Sequence, residues 1–162
     1  MLEISLYVLD KVLAVLPGWI IRRFLPPERI AGQVEIDLRR INPIAIYFTS
    51  VQFPFVELWF RISNQSQLNL VLDRLLVDLW VGQPTVQGAV LHRAALPRRT
   101  SKDDIRFWHD LTGIQEDRIR KQADEKGVLT VPVSIYVDAY FESRVGIVHV
   151  RAPLEHRGVA IS

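Results

Sequence analysis

The chain contains no cysteine. That absence removes disulfide frameworks, thiol nucleophiles and thiolate metal sites together. The formal net charge is only +2, and no run of Arg or Lys is interleaved with aromatic residues, which argues against a nucleic-acid partner. The four histidines, His92, His109, His149 and His156, never fall at the close spacings of a zinc motif. Gly-x-Ser-x-Gly and phosphate-cradling glycine loops are missing. Lys102–Asp103–Asp104 lacks the spaced carboxylates and central glycine of a calcium loop and reads as a charged turn. His109 and Asp110 adjoin in sequence beside Trp108, which implies no hydrogen bond between them and supplies no nucleophile. No catalytic residue, metal or cofactor is assigned, and the chain is expected not to be an enzyme.

What is present is apolar and patterned. With 162 residues, 49% of them hydrophobic and 23% charged, the chain can bury one real core. Residues 1–25 read as an N-terminal apolar, amphipathic helix. Leu2, Leu6, Leu9, Leu13, Leu16 and Ile20 recur at spacings of three and four, one stripe of a helix. After Lys11 no charge occurs until Arg22 and Arg23, and Pro17–Gly18 should bend or end the helix. The acidic start at Glu3 and the bulky Trp19 and Phe24 argue against a cleaved leader. A spanning helix would carry Asp10 and Lys11 near its centre, at about 2.5–3.5 kcal/mol each. An interfacial helix fits better, with the leucine stripe in lipid, Trp19 at the headgroups and Arg22 and Arg23 on phosphate. The competing reading packs the same stripe on this chain's own sheet or on a partner. The expected partner is therefore membrane lipid or a membrane protein, with homo-oligomer formation open. The expected location is a membrane surface, on a side left undetermined, or the cytoplasm under the second reading.

Pro26–Pro27 opens an expected linker over 26–32. From Gln33 the period changes to two. Val34/Ile36/Leu38, Val56/Leu58/Phe60/Ile62, Leu68/Leu70/Leu72 and Leu75/Val77/Leu79/Val81 each mark one face of a strand. Shorter apolar runs lie at Ile44–Phe48 and Thr85–Leu96, and another strand is read over Thr100–Phe107. The clearest strand runs from Thr130 to Tyr140, and the last, Val145–Arg151, is expected to close before Pro153. Between them, residues 111–127 are densely charged, with Thr112 placed to cap a short crossing helix and Gly127 to end it. Turn signals every ten residues or so, without intervening long helices, predict an antiparallel fibronectin-III or immunoglobulin-like β-sandwich. It should have seven or eight strands over residues 33–154, followed by a tail over 155–162.

The stretch from Val56 to Arg151 resembles the group-2 late-embryogenesis-abundant family, the water-stress and hypersensitive-response domain. The resemblance rests on the strand ending Ile62–Ser63–Asn64–Gln65–Ser66 and on the pair Leu68–Asn69–Leu70 and Leu75–Leu76–Val77–Asp78–Leu79. The small-residue strand Val86–Gln87–Gly88–Ala89 follows, then Leu96–Pro97 to Thr100–Ser101, the crossing, Val131–Tyr140 and Gly146. The family usually has Asn-Pro where this chain has Asn64–Gln65. The resemblance implies a sandwich without catalysis, frequent membrane attachment through an N-terminal apolar helix, and a role in stress protection.

Four large rings fall on nominally polar strand faces: Trp59, Trp80, Tyr136 and Tyr140. They form a candidate interaction patch. The plainer reading is cross-strand pairing, at about 0.2–1 kcal/mol per pair. Exposed indoles call for a cover, and the N-terminal helix is the candidate for it.

Overall fold

Alternation decides which residues face inward, and in the computed structural model of the chain two antiparallel sheets bury them against each other. Residues 11–13, 15–48 and 53–162 are described. The first sheet holds β1 (Val34–Leu38), β2 (Ile44–Tyr47), β3 (Phe55–Asn64) and β7 (Thr100–Asp110). β1 and β2 share one edge of β3, β1 along its second half and β2 along its first, while β7 takes the other edge. The second sheet runs β5 (Pro84–Val90), β4 (Leu70–Val81), β8 (Val133–Ser143), β9 (Gly146–His156), with β6 (Ala94–Leu96) extending the β5 edge of β4. This is the expected mainly-β sandwich. Its core lies between the sheets, with Leu58, Phe60, Ile62 and Phe107 meeting Leu75, Leu79, Ile135 and Phe141.

Among the described residues there are nine strands rather than seven or eight, and the difference has local causes. The sets Leu70/Leu72 and Leu75/Val77/Leu79/Val81 belong to one strand, β4, whose parity flips in the middle. Leu72 pairs with Phe141 and Arg74 with Tyr140, so Asp73 is the extra residue of a bulge. A bulge shifts inward-facing positions by one, which is why a single strand reads as two. Conversely, the run Thr85–Leu96 is split into β5 and β6 by a loop at residues 91–93. β9 does not stop at Pro153 but continues to His156. It is an edge strand, where a missing N–H costs no ladder bond. Residues 155–162 are not a free tail. Val159 is buried, and Ser162 and Phe48 exchange backbone bonds with Ile46 and Ser162, at 2.9 and 2.7 Å.

The helices are shorter than the sequence suggests. Residues 11–13 are helical, Pro17 interrupts, and α1 spans Gly18–Phe24. The expected linker contains α2 (Pro27–Ala31). Pro27 opens α2 where a helix needs no N–H, and Ile30 anchors it in the core. α3 (Gly113–Arg120) begins as expected, with a capping box between Thr112 and Gln115, but ends at Lys121 rather than at Gly127. Ile119 is its one fully buried residue, and bends follow it because Asp124 turns back to bond the amides of Lys126 and Val128, both at 2.9 Å.

The two sheets are tied together at one end by Asn64. This side chain is buried where β3 leaves for β4 and where β6 leaves for β7. Its Nδ2 donates to the carbonyls of Leu68, Leu96 and Pro97 at 2.9, 3.0 and 3.2 Å. Its Oδ1 accepts from the Ser66 amide at 3.0 Å and the Ser66 hydroxyl at 2.7 Å. Replacing it with Ala takes the Nδ2 donor from the Leu96 carbonyl, leaves Leu68 and Pro97 to the hydroxyls of Ser66 and Thr100 alone, and takes the acceptor from the Ser66 amide, at about 1–3 kcal/mol for each buried group left short. The Asn64→Ala variant should therefore lose about 3 kcal/mol of stability, read as a lower urea midpoint at unchanged m-value. A loss under about 1 kcal/mol would show that the network is replaceable by water.

Candidate interaction surfaces

Two surfaces deserve description: the N-terminal segment and the outer face of the second sheet. The N-terminal segment is seated on the turn between β8 and β9. Arg144 donates to the carbonyls of Leu13 and Leu16 at 3.0 and 3.1 Å. Gly18 lies so close to that turn that a Cβ would stand 2.2 Å from the Arg144 carbonyl oxygen, so no other residue fits without movement. Leu13 and Leu16 pack against the core, Ile21 is buried and Ile20 is half-buried. The leucine stripe therefore faces protein at these positions, and Leu2, Leu6 and Leu9 lie outside the described residues. A different apolar ridge faces solvent: Val12, Val15 at 84% exposure, Trp19 at 75% and Phe24 at 67%. Arg22 and Arg23 are exposed beside it.

The four rings expected as one patch are divided. Trp59 lies on the outer face of the first sheet. Its cover consists of guanidiniums, with Arg39 4.4 Å and Arg106 5.6 Å from its ring centroid. Arg106 also lies over Trp108 at 4.5 Å and pairs with Glu57, and Trp108 stacks on Phe55 at 3.9 Å. Trp80, Tyr136 and Tyr140 lie together on the outer face of the second sheet. Trp80 and Tyr136 meet edge to face at 5.7 Å and remain 39% and 45% exposed. The described part of the N-terminal segment, residues 11–13 and 15–24, does not cover Trp80. The helix sits on Arg144 at one end of β8, whereas Trp80 pairs with Ser134 at the other, about 30 Å along the strand.

Next to these rings stands a cluster the sequence reading missed. In the β8–β9 hairpin Tyr140 faces His149 and Asp138 faces Arg151. The imidazole stacks on Tyr140 at 4.6 Å, and Arg74 caps the other side of that ring at 4.4 Å. Asp138 Oδ1 lies 2.7 Å from His149 Nε2 and accepts from Arg151 Nε at 2.9 Å. Burial alone would raise the Asp138 carboxyl. The hydrogen bonds and charge of Arg151 and His149 outweigh burial and hold it below its usual range. A hairpin register drawn through the turn at Arg144–Val145 pairs these residues, so the signal was available in the strand order.

The other histidines do not assemble. His92 lies in the exposed loop after β5, across β4 and β8 from His149, so the two cannot pair over adjacent strands. His109 stacks with Phe107 at 6.2 Å, while Asp110 accepts from Trp108 Nε1 at 3.0 Å instead of contacting His109. Among the described residues no group of three or more His, Asp or Glu could hold a metal ion. Among them, too, no helix is long and apolar enough to cross a membrane.

No family model matches the chain, and no curated protein matches it. Solved structures similar to it include a crystal structure of a protein from Archaeoglobus fulgidus. The TM-score is 0.44 at 8% identity, covering 76% of this chain and 95% of that one. Another is the solution structure of a protein provisionally assigned as late embryogenesis abundant. There the TM-score is 0.48 at 9% identity, covering 96% of this chain and 90% of that one.

The Asp138 cluster has a pH signature. The folded carboxyl titrates below its unfolded value, so its contribution is complete above the ordinary pKa of about 3.9 and fades as pH falls through the lower folded value. Asp138→Asn should be less stable than the parent at pH 7, with the gap narrowing below about pH 4. Urea unfolding across that range reads this out, and a gap that stays constant into acid would remove the electrostatic account.

Proposed function

We propose that the chain is a non-enzymatic β-sandwich that rests on an anionic lipid surface through its N-terminal ridge and offers the outer face of its second sheet to a protein partner. The observation that carries this reading is the ridge itself. Val15, Trp19 and Phe24 are each more than three-fifths exposed, although Leu16 and Ile21 between them pack inward. A segment that already satisfies its inward face gains nothing within the chain from three further large apolar groups. Such groups are stabilised in the headgroup and acyl boundary, and Arg22 and Arg23 stand where lipid phosphate would lie. The segment lies on the surface and does not need to span the bilayer.

The non-catalytic part of the reading is supported by the histidines, which are dispersed: His92 lies in a loop, His109 stacks with Phe107, and His149 is held by Asp138. The resemblance of Val56–Arg151 to the group-2 late-embryogenesis-abundant family agrees with it, and a stress-protective role at the membrane follows from that family reading. The second reading, a subunit of a larger assembly, draws on Trp80, Tyr136 and Leu76, which share one exposed face. Under it the ridge meets protein instead of lipid.

Co-sedimentation of the full chain with phosphatidylcholine vesicles containing phosphatidylserine tests the proposal. The parent should bind, and the Trp19→Ser/Phe24→Ser double variant should bind at least about tenfold more weakly, since each ring is worth about 1.5–3 kcal/mol when buried. Binding should also weaken with salt, through Arg22 and Arg23. Equal binding by both proteins would overturn the ridge as anchor. A detergent-independent oligomer in light scattering, without vesicle binding, would select the assembly reading.

A further inference from the structure

We propose that the cleft between the end of β1 and the end of β9 binds a soluble phosphate-bearing polyol, a ligand of the sugar-phosphate class. The cleft has a volume of about 530 Å³, within the range of small-molecule sites. Asp37, Arg39, Arg40 and Arg61 wall it on one side and Glu155 and His156 on the other. Arg39 is committed, its Nε donating to the Ile41 carbonyl at 2.8 Å and its guanidinium lying on Trp59. It forms a fixed wall. Arg40 and Arg61 differ: among the described residues neither side chain has a hydrogen bond or an ion pair. Arg61 is half-buried and stands opposite Asp37 in the β1–β3 ladder, yet the two form no ion pair.

A guanidinium without a protein partner leaves its charge-assisted bonds to a bound oxyanion. The planar fork of Arg matches two oxygens of a phosphate. Arg61 also borders a second depression of about 410 Å³, which contains Glu35, Ser63 and Ser101. The two serine hydroxyls there lie 2.8 Å apart. A bare anion would leave Asp37 and Glu35 facing like charge, whereas hydroxyl groups on the ligand would donate to them. Glu155 is turned away onto Arg157 at 3.0 Å. The required ligand thus carries a phosphate for Arg40 and Arg61 and hydroxyls for the carboxylates and serines around them.

A lipid headgroup would supply similar chemistry, but the position of the cleft favours a soluble ligand. Arg144, which holds the N-terminal segment, precedes β9, and the cleft lies at the far end of that strand. About 30 Å of extended chain separates them.

The test is an NMR titration of the ¹⁵N-labelled full chain with glucose 6-phosphate, inorganic phosphate and glucose. Glucose 6-phosphate should give saturable shifts at residues 37–43, 61–65 and 153–156, with a Kd about tenfold or more below those of phosphate and glucose. Arg40→Gln and Arg61→Gln should each weaken it about tenfold. Arg40 is exposed, so its variant keeps the test valid if Arg61→Gln fails to fold. Scattered or non-saturating shifts, or undiminished binding in Arg40→Gln, would overturn the site. Phosphate binding as tightly as glucose 6-phosphate would overturn the polyol. Arg40→Gln should leave binding to the phosphatidylserine vesicles unchanged, and its loss there without sugar-phosphate binding would assign the site to a headgroup. The Trp19→Ser/Phe24→Ser variant should bind glucose 6-phosphate normally, so failure of the ridge and failure of the cleft are separable.

Discussion

The buried carboxamide of Asn64 is the constraint on which the two-layer arrangement depends. A sandwich requires the chain to leave one sheet and enter the other, and each crossing takes backbone carbonyls out of both ladders. Two crossings meet at Asn64: the turn from β3 to β4 and the passage from β6 to β7. Carbonyls from both sides converge on one Nδ2 group, and Ser66 completes the other half of the carboxamide. Few other side chains offer both donors and an acceptor in so small a volume. An Asp there would accept but not donate, and a Leu would do neither, leaving the Ser66 amide without its acceptor. The network fixes how one sheet is placed over the other, which decides which faces of β4 and β8 remain outside.

Period-two alternation made the sandwich legible, because a half-buried strand exposes its register one residue at a time. Val133, Ile135, Val137 and Ala139 are buried without interruption, as the pattern required. Alternation is blind to a bulge. The extra residue at Asp73 reverses inside and outside, and a one-dimensional pattern records that reversal as a new strand. It is equally blind to the edge of a sheet. Pro153 reads as a stop, but at an edge its missing N–H removes no ladder bond, so β9 continues. The C-terminal residues carried too little pattern to be placed, since their order comes from Ile46 and Leu129, remote in sequence.

The candidate surfaces were legible only in part, for a similar reason. Outward-facing rings can be read from parity, but which outer face each belongs to depends on which sheet takes the strand. Trp59 and Trp80 have the same local signature and lie on opposite sides of the molecule. The N-terminal stripe shows the same limit. Helical spacing identified a face bearing Leu13 and Leu16, but an amphipathic pattern does not say whether its apolar face meets lipid or protein. Arg144, more than a hundred residues later, decides it by drawing the carbonyls of Leu13 and Leu16 onto the β8–β9 turn.

The two outer faces solve the same problem in opposite ways. On the first sheet Trp59 lies beneath Arg39 and Arg106, cations held in turn by the Ile41 carbonyl and Glu57, while Trp108, which Arg106 also reaches, stays 44% exposed. A partner at Trp59 would have to displace guanidiniums that already have both a ring and an acceptor. On the second sheet Arg74 and His149 sandwich Tyr140, and Trp80 meets Tyr136 edge to face. Asp138 holds Arg151 and contacts His149, keeping these groups beside the open rings. Fixed polar groups on one side and half-exposed indole and phenol on the other give this face the mixed polar and aromatic composition found at the cores of interfaces.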